Sequence, residues 1–96
     1  MRIVRTARAE EDLIDIWTYI ASDNERAADR VLDELERKTT LLARNPNIGR
    51  ERFDIAAEVR SKMSESYSYL ILYRIPIDKV EVVRFVHARR QSKGLV

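Results

Sequence analysis

Two amphipathic helical patterns follow one another with only Ser22-Asp23 between them, and this constrains the fold more than any other feature of the chain. In the first pattern Ala9, Leu13, Ile16, Trp17 and Ile20 recur at helical spacing, while Asp12, Asp15, Thr18 and Asp23 lie mostly off that stripe. Thr6 is placed to cap it, and Glu10, Glu11 and Asp12 bring negative charge to its first turn, where the helix dipole favours it. In the second pattern Asn24 is the cap and Glu25 the first helical residue. Ala28, Val31, Leu32, Leu35, Thr39 and Leu42 form its stripe, and Asp33–Arg37 and Glu34–Lys38 stand four apart in the favourable acid-first order. Asn45-Pro46 ends it, since proline disfavours helical geometry at the preceding residue. So short a connection requires an antiparallel αα-hairpin. A hairpin alone leaves one apolar face in water, so a second layer must cover it.

The rest of the chain supplies that layer. Residues 2–5, Arg-Ile-Val-Arg, read as a brief strand. Residues 47–58 have no sustained period and read as a loop pinned by Ile48, Phe53 and Ile55. Val59, Ser61 and Met63 then alternate with Arg60 and Lys62, a half-buried strand with a basic outer face. Residues 69–75 are apolar at nearly every position, as in a central strand covered on both faces. Pro76-Ile77-Asp78-Lys79 makes a turn, and residues 80–87 return. The order β-α-α-β-β-β groups helices apart from strands, so the class is α+β: the hairpin packed on a small antiparallel sheet, with three strands in a meander. At 96 residues the whole chain, 1–96, is one domain, with 88–96 a loosely held basic tail.

Composition excludes several kinds of chemistry. With no Cys there is no disulfide framework, thiolate nucleophile or zinc-finger ligand set, and one His without clustered carboxylates leaves too few ligands for a metal. The two glycines stand alone, so phosphate-loop and dinucleotide fingerprints are absent and no cofactor is expected. No apolar run approaches the roughly 20 residues of a membrane span, and the start MRIVRTARAEED lacks a signal-peptide core, which points to the cytoplasm. Charge is divided along the chain. Residues 1–43 hold 7 Lys and Arg against 10 Asp and Glu, a net −3, whereas residues 44–96 hold 11 against 6, a net +5. A basic second half raises the encounter rate with acidic partners.

Arg60, Lys62, Arg74, Arg84, Arg89 and Arg90, with His87 among them, are the candidate functional residues. Guanidinium forks bind phosphate or carboxylate in a bidentate manner, and these could converge on one side of the sheet. Alternatively the strand arginines pair with Glu58, Glu81 or the acidic helices. His87 is the only side chain whose unperturbed pKa lies near neutrality. In a metal-free nuclease it would serve as acid to a leaving 5′-oxygen, with Arg60 or Arg84 clamping phosphate and Glu51 or Glu58 as base. Trp17 with Tyr19 offers a stacking surface, although Trp17 lies on the stripe that a core would bury.

Several ordered segments resemble the RelE/ParE superfamily of bacterial toxins, and its ParE branch in particular. They are residues 12–21 (Asp-Leu-Ile-Asp-Ile-Trp-Thr-Tyr-Ile-Ala), Asn24 with Ala27-Ala28-Asp29-Arg30, and Asn45-Pro46-Asn47-Ile48-Gly49-Arg50. Val59-Arg60-Ser61, residues 69–74 and residues 80–87 complete the set, which spans roughly 2–90. The resemblance implies the fold argued above and a partner, a small ParD-like antitoxin whose C-terminal segment wraps the toxin. It implies Trp17, Tyr19, Arg60 and Arg74 as antitoxin contacts, and Arg60, Arg74, Arg84, His87, Arg89 and Arg90 as target contacts. ParE-type toxins look like inhibitors of DNA gyrase that hydrolyse nothing themselves, whereas RelE-type relatives cut messenger RNA in the ribosomal A site. In that alternative His87, Arg60 and Arg84 would be catalytic and nucleic acid would be bound directly. The lysine-rich cluster associated with RNA cleavage is replaced by Arg50, Arg52 and Lys62, and the tail carries no tyrosine. Residues 16–21 and 46–50 favour the ParE reading.

Overall fold

A computed structural model describes residues 1–89 and 95–96. Both helix starts form as the caps require. Thr6 accepts at its hydroxyl from the Ala9 N–H at 3.1 Å, beginning α1 (Ala7–Ala21), and Asn24 Oδ1 accepts from Ala27 N–H at 3.0 Å, beginning α2 (Glu25–Arg44). α2 stops before Pro46, and a single 3-10 turn (Pro46–Ile48) follows. α1 buries Ala9, Leu13 and Ile16, and α2 buries Ala28, Val31, Leu35 and Leu42. Thr39 joins them because its hydroxyl donates back to the Leu35 carbonyl at 2.8 Å, which satisfies it inside the core.

The strands are β1 (Arg2–Arg5), β2 (Arg50–Glu51), β3 (Arg60–Ser64), β4 (Tyr69–Arg74) and β5 (Lys79–His87), in the order β1-β5-β4-β3-β2. The expected meander is β3-β4-β5, antiparallel throughout. The sheet as a whole is mixed rather than antiparallel, because β1 runs parallel to β5, with Ile3 opposite Val80 and Arg5 opposite Val82. A period-2 pattern carries no strand direction. β1 and β5 are joined through the helical hairpin and the strands β2, β3 and β4, and β5, last in the chain, lies between β1 and β4, parallel to the one and antiparallel to the other. Residues 47–58 are not wholly a loop: Arg50 and Glu51 pair with Ser61 and Arg60.

β4 is central and covered on both faces. Ile71 and Tyr73 pack with Val80, Val82 and Phe85 against the helices, while Leu72 joins Val59, Val83, Val86 and Leu95 on the opposite face. Of the expected loop pins only Ile55 packs, onto this second cluster, whereas Ile48 and Phe53 are exposed. Met63, expected inside, is exposed as well. The chain end is not loose throughout: Leu95 is buried in the second cluster, and residues 90–94 lie outside the described residues. Each fully buried aliphatic side chain in these layers is worth roughly 1.5–3 kcal/mol.

Charged contacts stitch the hairpin to the sheet. Lys38 meets Glu65, in the β3–β4 turn, at 2.9 Å, and the hydrogen bond from Lys38 holds the Glu65 carboxyl down at about 2. A depressed carboxyl contributes stability that is present above its unfolded pKa and lost as pH falls through the folded value. Acid thermal melts should therefore show a pH-dependent loss between about pH 4.5 and 2 that Glu65→Gln reduces. Equal slopes for both proteins would remove the Lys38 contact from the acid response.

Candidate functional site

β5 positions most of the candidate residues. β1 covers its edge only as far as Val82, and two side chains take over beyond that point. The Thr6 hydroxyl donates to the Val83 carbonyl at 3.0 Å, and Asp12 Oδ2 accepts from Phe85 N–H at 3.0 Å. The β4–β5 register shifts between Leu72 and Tyr73, which leaves Val83 as an extra residue in β5. The adjacent Arg84 donates from Nε to Asp12 Oδ2 at 2.7 Å and from Nη2 to Asp12 Oδ1 at 3.1 Å. Its Nη1 donates to the Leu95 carbonyl at 2.8 Å. Both ion-pair side chains are 7% exposed.

Arg84 is therefore a structural cation and not an open clamp. The sequence offered it as a target or phosphate contact; in this fold its side chain is buried and its Nε, Nη1 and Nη2 donors are engaged by Asp12 and the Leu95 carbonyl. Asp12 is the matching omission. Helical spacing put it on the polar side of α1, but it is buried, because the unpaired edge of β5 needs an acceptor there.

His87 is exposed at the end of β5. Its ring stands edge-on to Tyr69, with centroids 5.3 Å apart and planes at 82°, and its Nδ1 accepts from Arg89 N–H at 3.2 Å. That bond places the proton of the neutral ring on Nε2. Burial pushes the Tyr69 phenol above its usual range, and nearby Tyr19 adds to the shift. Tyr19, Tyr69 and His87 line a groove of about 490 Å³ between α1 and β5, together with Arg8, Asp15 and Ile16. Tyr19 is 79% exposed. Trp17 is half-buried and not a core residue: its indole N–H donates to Asp29 Oδ1 at 2.9 Å, so the ring bridges the two helices at their seam.

Arg60 and Arg74 stand at the other end of the sheet. Arg60 donates from Nη1 to the Gly49 and Asn47 carbonyls at 2.8 and 3.3 Å and from Nη2 to Glu51 at 3.3 Å, so it holds the 47–51 segment in place. Arg74 is half-buried beside Glu58, Phe53 and Ile77 in a groove of about 530 Å³. Lys62 reaches Glu65 at 3.4 Å. Arg89 is exposed next to His87, and Arg90 lies outside the described residues.

The basic residues, whose convergence the sequence left open, are thus divided. His87 and Arg89 stand at one end, Arg60 and Arg74 at the other, and Arg84 is locked between them. Tyr69, beside His87, and Arg74, near Glu51 and Glu58, are five residues apart on β4, roughly 17 Å. The acid–base set of His87 with Glu51 or Glu58 is not brought together. Among the described residues no cluster of three or more His, Cys, Asp or Glu is placed to hold a metal ion, and no helix is long and apolar enough to cross a membrane.

A helical hairpin laid on a mixed five-stranded sheet defines a class of small α+β domain. A chain solved as the "Chromosomal ParDE TA system from P. aeruginosa" shares it, with a TM-score of 0.80 over 93% of this chain and 97% of that one, at 19% identity. At that identity the likeness is one of fold. Sequence carries the relation further. The family model described as "ParE toxin of type II toxin-antitoxin system, parDE" matches residues 3–92. "Toxin ParE1" of Caulobacter vibrioides is 34% identical over 89 residues, covering 91% of this chain and 88% of the relative. The chain belongs to the ParE toxin family of type II toxin–antitoxin systems.

Proposed function

We propose that this ParE-family toxin acts by binding and inhibiting DNA gyrase, and that a ParD-like antitoxin neutralises it. The observation that carries the reading is the family match across residues 3–92. The scattered positions of His87, Arg60, Arg84 and the candidate bases support a binder over a ribonuclease. Tyr19, exposed at the mouth of the α1–β5 groove, and Trp17 beside it are the antitoxin contacts in this reading. An amphipathic acidic segment would lay its apolar side on Tyr19, Tyr69 and Ile16 and its charge toward Arg8 and Arg89. Gyrase places the protein's work in the cytoplasm.

Induction in cells tests the reading against RNA cleavage. Growth should arrest, co-expression of the antitoxin should relieve the arrest, and translated transcripts should acquire no new 5′ ends. His87→Ala should remain toxic, since no proton transfer is required of it. New transcript ends that disappear with His87→Ala would replace this reading with the ribonuclease one.

A further inference from the structure

We propose that the groove between the 52–58 loop and the 75–78 turn is the surface through which the toxin grips its target protein. Its occupant is a target segment that offers an apolar side chain beside a carboxylate. This rests on the reading of the protein as a toxin that works by occupying a protein target.

Phe53 and Ile77 stand on opposite sides of the groove at 76% and 90% exposure, with Ile75, Pro76 and buried Val59 between them. Two large apolar side chains so exposed on the lining of one groove mark an interaction surface more than they mark a solvated one. Phe53 does not project from a slack segment. Arg52 clasps Asp54 through two bonds of 2.9 and 2.8 Å, and its backbone N–H donates to the Val59 carbonyl at 2.8 Å. Its own carbonyl accepts from Ile55 and Ala56, which pack onto the sheet. The loop is braced and presents its aromatic ring outward, as a preorganised contact should.

The turns bordering the groove also carry left-handed backbone on non-glycine residues, with φ of 63° at Glu58 and 60° at Asp78. Such conformations persist where the surroundings enforce them and often at working surfaces.

Charge selects the occupant. Arg74 is half-buried in the groove and forms no ion pair with any described residue. Glu51 is engaged by Arg60, and neither Glu58 nor Glu81, opposite Arg74 on β5, comes within ion-pair distance of it. A guanidinium with its fork unused beside two exposed apolar side chains fits a carboxylate next to an apolar anchor. The groove is also remote from Tyr19 and Trp17 on α1, and Arg60 and Arg74, which the resemblance implied as antitoxin contacts, are assigned to the target instead. Lys79 and His87 mark the two ends of β5, eight residues and roughly 26 Å apart, so the two surfaces can be tested independently.

The test uses the full chain with Phe53→Ala and Arg74→Glu, each alone, with purified gyrase and the cognate antitoxin as probes. Each variant should raise the toxin concentration needed for half-inhibition of supercoiling by about tenfold or more. Antitoxin affinity and the melting curve should stay those of the parent. Unchanged inhibition by both variants overturns the proposal, and so does loss of antitoxin binding, which would give the groove to the antitoxin. If the parent protein leaves gyrase untouched, it is the gyrase reading that fails. Growth arrest then decides the groove: variants that no longer arrest growth support it, and variants as toxic as the parent overturn it.

Discussion

Asp12→Ala is expected to cost about 3–5 kcal/mol of folding stability, the range for breaking a buried ion pair by removing one partner. The loss has two parts. Arg84 is left as a buried cation with Nε and Nη2 unanswered, and Phe85 N–H loses its acceptor on the uncovered edge of β5. For a domain of this size each kcal/mol moves the melting temperature by roughly 4–8 °C, so a fall of at least about 12 °C should appear in thermal circular dichroism. Replacing both partners, as Asp12→Leu with Arg84→Met, should recover much of the loss, because the penalty comes from the orphaned charge more than from a missing attraction. A single variant that melts within a few degrees of the parent would show that the pair is dispensable.

Gly49→Ala should be the second most damaging change. A Cβ at that position would lie 2.2 Å from Tyr73 Oη and 2.6 and 2.7 Å from two ring carbons, and Tyr73 is wholly buried. Tyr73 Oη accepts from Gly49 N–H at 2.8 Å and donates to the Pro46 carbonyl at 2.7 Å, so one hydroxyl ties the turn after α2 to the centre of the sheet. Overpacking together with two strained buried hydrogen bonds puts the cost at about 2–4 kcal/mol. Tyr73→Phe keeps the ring and loses only the hydroxyl, at about 1–3 kcal/mol. Because the two substitutions strike the same contact, the double variant should fall short of their sum, and denaturant titration of all four proteins measures that coupling. Additive losses would contradict the close packing.

Local signals made much of this structure legible. Thr6 and Asn24 mark helix starts because an N-cap is a property of a few adjacent residues, and the β3-β4-β5 meander follows from alternation and the Pro76–Lys79 turn. What escaped depends on partners distant in sequence. Asp12 differs from a solvated helix acid only through Arg84, 72 residues away. β1 shows its direction only once it meets β5. The basic residues could not be assigned to faces without the register and the extra residue at Val83, which together send Arg84 inward and leave Arg74 open. Phe53 looked like a loop anchor because an isolated aromatic gives no sign of which way it points, and it stands exposed between Arg52 and Asp54, which clasp each other.

The proposed reading gives one end of the sheet to the antitoxin and the other to the target. The most direct test of that account is gyrase activity in the presence of purified toxin. Supercoiling should fall and gyrase–DNA cleavage complexes should accumulate as toxin is added, and antitoxin should reverse both. Supercoiling and cleavage-complex levels that stay unchanged under a molar excess of folded toxin would contradict it.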